Sequence, residues 1–313
     1  MKIKALAPWF GGKRTLAPKI VELLGEHTQY FEPFCGSAAV LLAKEPSQKE
    51  TIGDLHRDMI NLLWCVADPD IAPNLYDLLA RAPFSEDLLN EARYRLEVDR
   101  WDPDPEYLLD EPNDKSLNRA YWYFLASWQG RNGTAGTIRR KYQLAVRWTR
   151  GGGSPTVRWR NAVDSIPAWH RRLLNVVILH RDAFRWIGSV EDHNASVIYI
   201  DSPYVIDGVT RTGLSTTGDN GRYVHDFESI HKPNSTGLLF GEQHPDTKHD
   251  KLAAILKKYQ HARIVVSYYD CDLVRKLYDG WNFIDCKMNK QLHAQNGRGA
   301  RKKDAPEVLI TNF

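Results

Sequence analysis

The sequence predicts an α/β protein with a parallel sheet that is interrupted by a basic, mostly helical insert. Strand-like and helix-like patterns alternate over residues 1–65 and again over residues 173–313, and this alternation is typical of a parallel sheet covered by helices. Residues 66–172 follow a different pattern of helix-like segments and a Gly- and Arg-rich stretch. Because the sheet is complete only when both flanks are combined, we expect one discontinuous sheet domain with an inserted domain.

The first flank predicts helices and strands in alternation. Apolar residues recur at helical spacing from Leu16 to Leu24, which predicts a first helix. The segments after it predict a buried strand at 29–34, a helix at 38–44, a strand at 51–54 and a helix at 58–66.

The insert is predicted to be helical at its start and rich in loops after that. Leucines at helical spacing predict helix over 71–99, and the acidic, proline-bearing segment 97–114 predicts an exposed loop. An aromatic helix is predicted at 115–128, and a Gly- and Arg-rich stretch follows over 130–161.

The second flank returns to the α/β pattern on either side of a long polar loop at 205–246. Apolar runs predict four strands, and amphipathic runs predict three helices. The strands are expected at 173–179, 196–201, 262–268 and 307–312, and the helices at 182–187, 249–259 and 272–278.

Composition is that of an ordinary globular protein. The chain has 313 residues, of which 42% are hydrophobic and 26% charged, and no apolar run approaches the roughly 20 residues of a membrane span. The N-terminal segment lacks the apolar core of a secretory signal. The four cysteines lack CxxC spacing and predict reduced thiols in a cytoplasmic protein; they are Cys35, Cys65, Cys271 and Cys286.

The net charge of +3 conceals a strong asymmetry. Residues 115–185 contain 14 Lys and Arg against 2 Asp and Glu, a local charge of +12, whereas the rest of the chain carries −9. A basic block within an otherwise acidic protein indicates a surface that binds a polyanion.

Three short motifs are candidates for chemistry. Residues 31–39 place Gly36 at a strand-to-helix turn where a ligand can approach the backbone, and Asp54 ends the next strand at a distance suited to ribose hydroxyls. Residues 201–204 put an acid and an aromatic directly after an apolar strand, where open α/β sheets bind ligands. Residues 8–14 combine two glycines with Lys13. A GxGxxG fingerprint is absent, which argues against NAD.

The motifs, in this order, resemble those of the Dam-like (D12 class) DNA adenine-N6 methyltransferases. The resemblance covers about 1–65 and 173–313, the two flanks of the insert. It is carried by PWFGGKR (8–14), YFEPFCGSAAVLL (30–42), GDLHRDMINLL (53–63), VIYIDSPYV (197–205), IVVSYYDCDLVRKLYDGW (264–281) and EVLITNF (307–313).

The resemblance implies a Rossmann-like, seven-stranded methyltransferase sheet with a terminal antiparallel strand, and S-adenosylmethionine as cofactor. Residues 1–65 and 173–313 would form the catalytic domain, and residues 66–172 the DNA target-recognition domain. The implied cofactor-binding residues are Trp9, Lys13, Glu32, Phe34, Cys35, Gly36, Asp54 and Asp201. Among them, the resemblance implies that Lys13 pairs with the carboxylate of the cofactor's methionine end. The implied catalytic residues are Asp201, Ser202, Pro203 and Tyr204.

Two residues depart from the family pattern. Ser202 stands where the family usually has proline, but a backbone carbonyl is all that this position contributes, so we expect altered efficiency without loss of function. Ala38 stands where the family has glycine, and its methyl group is expected to be tolerated with helical dihedral angles.

The basic insert supplies candidate DNA contacts, most of which we expect to bind phosphate. They are Arg131, Arg139, Arg140, Lys141, Arg147, Arg150, Arg158 and Arg160. Trp148 and Trp159 are candidates either for base stacking or for core packing. The expected partner is double-stranded DNA, and the sequence indicates neither a membrane nor an obligate protein partner, so a monomer is expected.

Other functions stay open on the sequence alone. The catalytic segment also occurs in amino methyltransferases of cytosine N4 or RNA adenine, and Ser202 is compatible with a catalytically impaired DNA-binding protein. No metal site is expected, because the histidines of the polar loop and its end share no ligand spacing; these are His225, His231, His244 and His249.

Overall fold

The sheet has seven strands within the residues that the computed structural model describes, which are 3–9, 11–98, 116–130, 144–146, 153–204, 248–289 and 304–313. These strands are β1 (Gln29–Glu32), β2 (Lys49–Asp54), β3 (Val176–His180), β4 (Ser196–Ile200), β5 (Arg263–Tyr269), β6 (Asn282–Asn289) and β7 (Asp304–Thr311). Their order across the sheet is β3-β2-β1-β4-β5-β7-β6.

The strands from β3 to β5 are parallel, and β7 runs antiparallel between β5 and β6. This arrangement confirms the predicted mixed α/β class and the seven-stranded sheet of a Rossmann-like methyltransferase fold. The sequence analysis did not predict β6, which mixes polar and apolar residues at an edge of the sheet.

One described helix precedes β1 in the chain, and the others lie between strands. They are α1 (Ala17–Leu24), α2 (Arg57–Ala67), α3 (Ile71–Arg81), α4 (Glu86–Val98), α5 (Leu117–Gln129), α6 (Pro155–Val163), α7 (Ile166–Leu173), α8 (Lys248–Leu256) and α9 (Asp272–Leu277). Two single turns of 3-10 helix, Ala183–Arg185 and Ile187–Ser189, occupy the segment predicted as a short helix.

Both faces of the sheet are buried, as parallel sheets require. Along β4 every residue is buried. Val197 and Tyr199 join the core on one face, and Ile198 and Ile200 join the core on the other. Burial of these apolar side chains on two faces is the main stabilising contribution to the sheet.

Helices from the insert contribute to one of these two cores. Phe124 and Trp128 of α5, Trp159 of α6 and Trp169 of α7 are almost completely buried and belong to the same hydrophobic cluster as Tyr199 of the central strand. The described helices of residues 66–172 therefore share a core with the sheet, and α3, α5 and α7 pack against α2, which in turn contacts β2 and β3. The boundaries of a separate target-recognition domain stay a prediction.

The predicted helix at 38–44 is wrong. Residues 36–43 form hydrogen-bonded turns, and Ala38 has a φ of +56°. A positive φ is incompatible with a right-handed helix and costs an L-residue roughly 1–2 kcal/mol. The expectation of helical dihedral angles at Ala38 is therefore also wrong, and the family's glycine at this position would adopt this conformation without strain.

Across the described ranges, no helix combines the length and the apolar character that a membrane crossing demands.

Candidate active site

The candidate site lies at the carboxyl ends of three neighbouring parallel strands. The motif that begins at β1 and the motif that follows β4 come together because these strands pair directly, with Phe31 opposite Ile198. Asp54 ends β2 on the other side of β1. The chain order reverses between β1 and β4, and open α/β sheets bind ligands in the crevice at such a reversal.

Gly36 allows the loop after β1 to pass close beneath Trp9. Its φ is +45°, and a Cβ built on it would lie 2.7 Å from Nε1 of the Trp9 indole. Positive φ and close approach are both conditions that favour glycine. The indole also makes an edge contact with the ring of His56, at 5.2 Å between centroids.

We expect Gly36→Ala to destabilise the protein by more than the roughly 1–2 kcal/mol that a left-handed conformation costs an L-residue, because the added methyl group also displaces Trp9. Gly280→Ala is the matched control, because its φ is +83° but nothing lies within 4 Å of the added Cβ. Thermal unfolding followed by tryptophan fluorescence measures both effects. Equal loss of stability with equal spectra in the two variants would contradict the Trp9 contact.

Asp54 holds the loop after β1 through both oxygens of its carboxylate. Oδ2 accepts a hydrogen bond from the backbone N–H of Gly36 at 2.8 Å, and Oδ1 accepts one from the backbone N–H of His56 at 2.9 Å. A carboxylate oxygen has a further lone pair, so these bonds are compatible with contacts to ribose hydroxyls.

Asp201, directly after β4, forms an ion pair with Lys13. Nζ of Lys13 and Oδ1 of Asp201 are 2.8 Å apart. The Lys13 side chain is 4% exposed and the Asp201 side chain is 19% exposed. Burial raises the pKa of the Asp201 carboxyl to about 6 even though Lys13 opposes the shift. Burial alone would lower the pKa of Lys13, but Asp201 and Glu307 outweigh it, so the pKa of Lys13 is raised and the ammonium stays charged.

Glu307 of β7 completes this cluster. Its Oε1 atom lies 3.4 Å from Nζ of Lys13 and accepts a hydrogen bond of 2.7 Å from the Tyr204 hydroxyl. Lys13 also donates to the backbone oxygen of Gly11 at 2.7 Å. These three acceptors match the three donors of an ammonium group.

Tyr204 lies among aromatic rings and the Lys13 cation. Its ring is in edge contact with Tyr269, at 4.6 Å between centroids, and Nζ of Lys13 is 4.9 Å from its centroid. The residue is 9% exposed. Ring contacts and the hydroxyl bond together fix the orientation of the side chain.

Ser202 belongs to a buried hydrogen-bonded chain. Its hydroxyl donates to the Tyr268 hydroxyl at 2.8 Å, and that oxygen lies 3.0 Å from Nδ1 of His249 at the start of α8. Burial lowers the pKa of His249 to about 4, so its ring is neutral at physiological pH. The hydroxyl of Ser202 thus ties the segment 201–204 to β5, whereas the family's usual proline would stiffen the backbone.

The other predicted cofactor residues differ in what they can offer. Glu32 is 2% exposed and accepts a 3.0 Å hydrogen bond from the Tyr30 hydroxyl, and burial raises its pKa to about 8, so the carboxyl is protonated at neutral pH. Cys35 is 5% exposed, and burial raises its thiol pKa. Phe34 is half-buried against the core, and Pro203 is buried.

Most of the predicted DNA contacts lie outside the described residues: Arg131, Arg139, Arg140, Lys141, Arg147 and Arg150, together with Trp148. Arg160 is exposed on α6 and donates to the backbone oxygen of Ala80 at 2.6 Å. Arg158 is half-buried. Desolvation lowers its pKa, and the neighbouring charge of Arg14 lowers it further. Trp159 packs in the core, so the core-packing alternative holds for that residue.

Within the described ranges, no group of three or more His, Cys, Asp or Glu side chains is arranged to hold a metal ion. Of the histidines considered above, His249 is described, and it faces Tyr268.

The structure brings together residues from the three motifs that the sequence analysis singled out. It adds Glu307, which the sequence analysis placed only in the motif of the last strand, and the pair Tyr268 and His249. The signal for Glu307 was an ionisable residue heading an apolar strand, EVLITNF, since a buried carboxylate needs partners.

The family match agrees with this geometry. Residues 9–143 match the model of the D12 class N6 adenine-specific DNA methyltransferases, which confirms the resemblance for the first flank and extends it into the insert. Residues 173–313 lie outside the matched region. A stretch of 62 residues, 20% of the chain, is 37% identical to a Type II methyltransferase, M1.LlaDCHI, of Lactococcus lactis subsp. cremoris. The matched stretch spans 22% of that relative's length.

Proposed function

We propose that this protein is a site-specific DNA methyltransferase that transfers a methyl group from S-adenosylmethionine to N6 of adenine in double-stranded DNA. The observation that carries the proposal is the convergence of the loop after β1 and the segment 201–204 at one end of the sheet. The family match over residues 9–143 supports the same activity.

The chain offers a suitable place for the cofactor. The loop at Gly36, shaped by Trp9 and held by Asp54, presents backbone to the crevice between β1 and β4. Asp54 is compatible with ribose hydroxyls, and Trp9, Phe34 and Gly36 would line the rest. When bound, S-adenosylmethionine supplies an electrophilic methyl group on a positively charged sulfur.

Asp201 and Ser202 are proposed to activate the target nitrogen. The lone pair of adenine N6 is delocalised into the ring, which makes the amino group a poor nucleophile. The Asp201 carboxylate and the backbone carbonyl of Ser202 would each accept a hydrogen bond from one of its two N–H groups. These bonds would favour a pyramidal nitrogen with a localised lone pair. Groups fixed in advance in a water-poor site are the main source of such stabilisation.

Tyr204 is proposed to stack on the target adenine. In duplex DNA the base must leave the helix to reach the site, at a cost of a few kcal/mol. An aromatic side chain whose orientation is already fixed offsets part of that cost, because base–aromatic stacking contributes about 1–3 kcal/mol.

Lys13 is proposed to keep Asp201 ionised. The resemblance assigns Lys13 to the cofactor's carboxylate, yet its donors face Gly11, Asp201 and Glu307. A lysine beside a buried carboxylate favours the charged form of that carboxylate. Only the charged form combines acceptance of a hydrogen bond with stabilisation of the positive charge that develops on the nitrogen. The cofactor-binding role of Lys13 stays a prediction.

DNA contacts are proposed to come from the basic block at 115–185, with most of them to phosphates. The monomeric state, the absence of an obligate protein partner and the cytoplasmic location also stay predictions. The designation of the Lactococcus relative as a Type II methyltransferase supports a restriction–modification context for this chain.

Methylation of nucleic acid with a labelled cofactor tests the proposal. The protein is incubated with labelled S-adenosylmethionine and with duplex DNA or RNA, and the labelled nucleoside is identified after digestion. We expect N6-methyladenine from DNA. N4-methylcytosine or methylated RNA would replace the proposed substrate, and binding of DNA without transfer would identify an impaired DNA-binding protein.

We expect Ser202→Ala to keep most of the activity, because only the backbone carbonyl of this residue takes part. Loss of the buried bond to Tyr268 should reduce the free energy of unfolding by about 1 kcal/mol. Ser202→Pro should be tolerated or more active, since it restores the stiffness of the usual family motif. Single-turnover methylation and thermal unfolding measure these effects, and a folded but inactive Ser202→Ala would show that the hydroxyl itself is required.

A further inference from the structure

Glu307 places a carboxylate within an otherwise apolar part of the sheet. The residues that follow it on β7, Val308, Leu309 and Ile310, are at most 1% exposed, and the Glu307 side chain is 11% exposed. In the antiparallel pairing with β5, Glu307 lies opposite Tyr269. A charge in such surroundings is costly unless it has hydrogen-bonded partners.

One oxygen of this carboxylate meets two residues of the candidate site. Oε1 accepts the Tyr204 hydroxyl at 2.7 Å and lies 3.4 Å from Nζ of Lys13. The last strand of the sheet therefore connects the N-terminal lysine motif to the segment after β4. Both partners also touch each other, with the Lys13 ammonium 4.9 Å from the Tyr204 ring centroid.

We propose that Glu307 is a positioning residue for methyl transfer. It fixes the ring of Tyr204 and the ammonium of Lys13, so that the target adenine is aligned with the Asp201 carboxylate. The inference rests on the function proposed above. Glu307 is not proposed to contact the reacting atoms. It acts through Tyr204, whose ring edge is also held by Tyr269 at 4.6 Å between centroids, and through Lys13, which pairs with Asp201 at 2.8 Å.

The charge of Glu307 gives this role an electrostatic signature. Its carboxylate raises the pKa of Asp201, whereas Lys13 lowers it, and burial is the largest cause of the net rise. The charged and titratable groups that interact with Asp201 come from several elements: Lys13, Glu307, Glu32, Tyr199, Tyr204 and Tyr268. Removing the Glu307 charge should therefore lower the pKa of Asp201 and move the acid limb of the pH–rate profile to lower pH.

The experiment uses Glu307→Ala, Glu307→Gln, Tyr204→Phe and the double variant Glu307→Gln/Tyr204→Phe. At saturating DNA and S-adenosylmethionine, we expect Glu307→Ala to lower kcat roughly 10- to 100-fold, the range for a misplaced catalytic group. Glu307→Gln should retain more activity, because its amide oxygen still accepts from Tyr204. The KM for S-adenosylmethionine should change less than kcat.

Two comparisons separate positioning from a structural role. The effect of Glu307→Gln on kcat should shrink in the Tyr204→Phe background, since the hydroxyl through which Glu307 acts is already gone. Asp285→Asn, which removes an exposed carboxylate from neighbouring β6, is the matched control and should change neither kcat nor the acid limb.

Three outcomes would overturn the inference. These are an unchanged kcat in folded Glu307→Ala, an acid limb that stays in place in Glu307→Gln, and additive effects in the double variant. Failure of the proposed function is distinguishable. A wild-type protein that transfers no methyl group overturns that function, while coupling of the Glu307 and Tyr204 substitutions in a thermal-unfolding cycle would still support the contact.

Discussion

Asp201→Ala should reduce methyl transfer at least 10²–10³-fold with the fold retained, the usual effect of removing one preorganised polar group. The carboxylate is the acceptor placed for the adenine amino group, and alanine leaves neither charge nor acceptor. Loss of Asp201 also leaves the Lys13 ammonium paired with Glu307 alone, 3.4 Å away. Single-turnover methylation of a DNA with a mapped target site measures the rate, and thermal unfolding checks the fold.

Glu50→Gln is the matched control for Asp201→Ala. Glu50 is also a buried carboxylate with a lysine partner, and its partners are Lys44 and Arg172. It lies near the start of β2, at the amino ends of the parallel strands, whereas Asp201 lies at their carboxyl ends. We expect this variant to lose stability and keep its transfer rate. An active Asp201→Ala protein would refute the mechanism.

The Asp201 carboxyl makes both activity and stability depend on pH. Because the pKa of Asp201 is raised to about 6, activity should fall as pH falls through this value. For stability the sign is opposite. A carboxyl whose pKa is higher in the folded state than in the unfolded one binds its proton more tightly when folded, so its contribution to stability is present at low pH and is lost as pH rises through about 6.

The sheet was largely predictable because its strands have simple local signals. β4 is a continuous apolar run, and an acid directly after it marks the carboxyl end of a buried strand. The edge strand β6 lacks that signal, because its residues 282–285 are exposed or half-buried. The helix predicted at 38–44 failed for another reason. Its residues favour helix locally, but Ala38 has a positive φ, which interrupts a right-handed helix.

The sequence predicted which residues form the candidate site better than it predicted which of them contact each other. The motifs pointed to Asp201, Tyr204, Lys13 and Asp54, but which of them pair depends on how distant strands are arranged in the sheet. Lys13 reaches Asp201 because the N-terminal segment crosses the carboxyl ends of the strands. Glu307 joins them because β7 lies next to β5. Sequence spacing carries no information about such contacts.

Lys13→Met should lose most activity at neutral pH and regain part of it in alkaline solution. Methionine keeps much of the volume of lysine but removes the cation that lowers the pKa of Asp201, so that pKa should rise above about 6. A carboxyl that is protonated at pH 7 is a weaker acceptor for the amino group and has no negative charge to stabilise the positive charge that develops on the nitrogen. The acid limb should move to higher pH, in the direction opposite to that expected for Glu307→Gln.

Stability gives a second measurement on the same Lys13→Met variant. Removing one partner of a buried ion pair typically costs about 3–5 kcal/mol, because Asp201 and Glu307 are left without their cation. Protonation relieves this cost, so the loss should be largest at high pH and should diminish as pH falls.

The alternative role of Lys13 makes a different prediction. If it bound the carboxylate of S-adenosylmethionine, as the family resemblance implies, Lys13→Met would weaken cofactor binding in calorimetry and leave the acid limb where it is. Asp54→Ala is the reference for a cofactor-side defect, because its carboxylate holds the loop at Gly36 and does not pair with Lys13 in this structure. A displaced acid limb in Lys13→Met, with Asp54→Ala retaining the wild-type limb, would assign Lys13 to the ionisation of Asp201. The same limb in all three proteins would contradict that assignment.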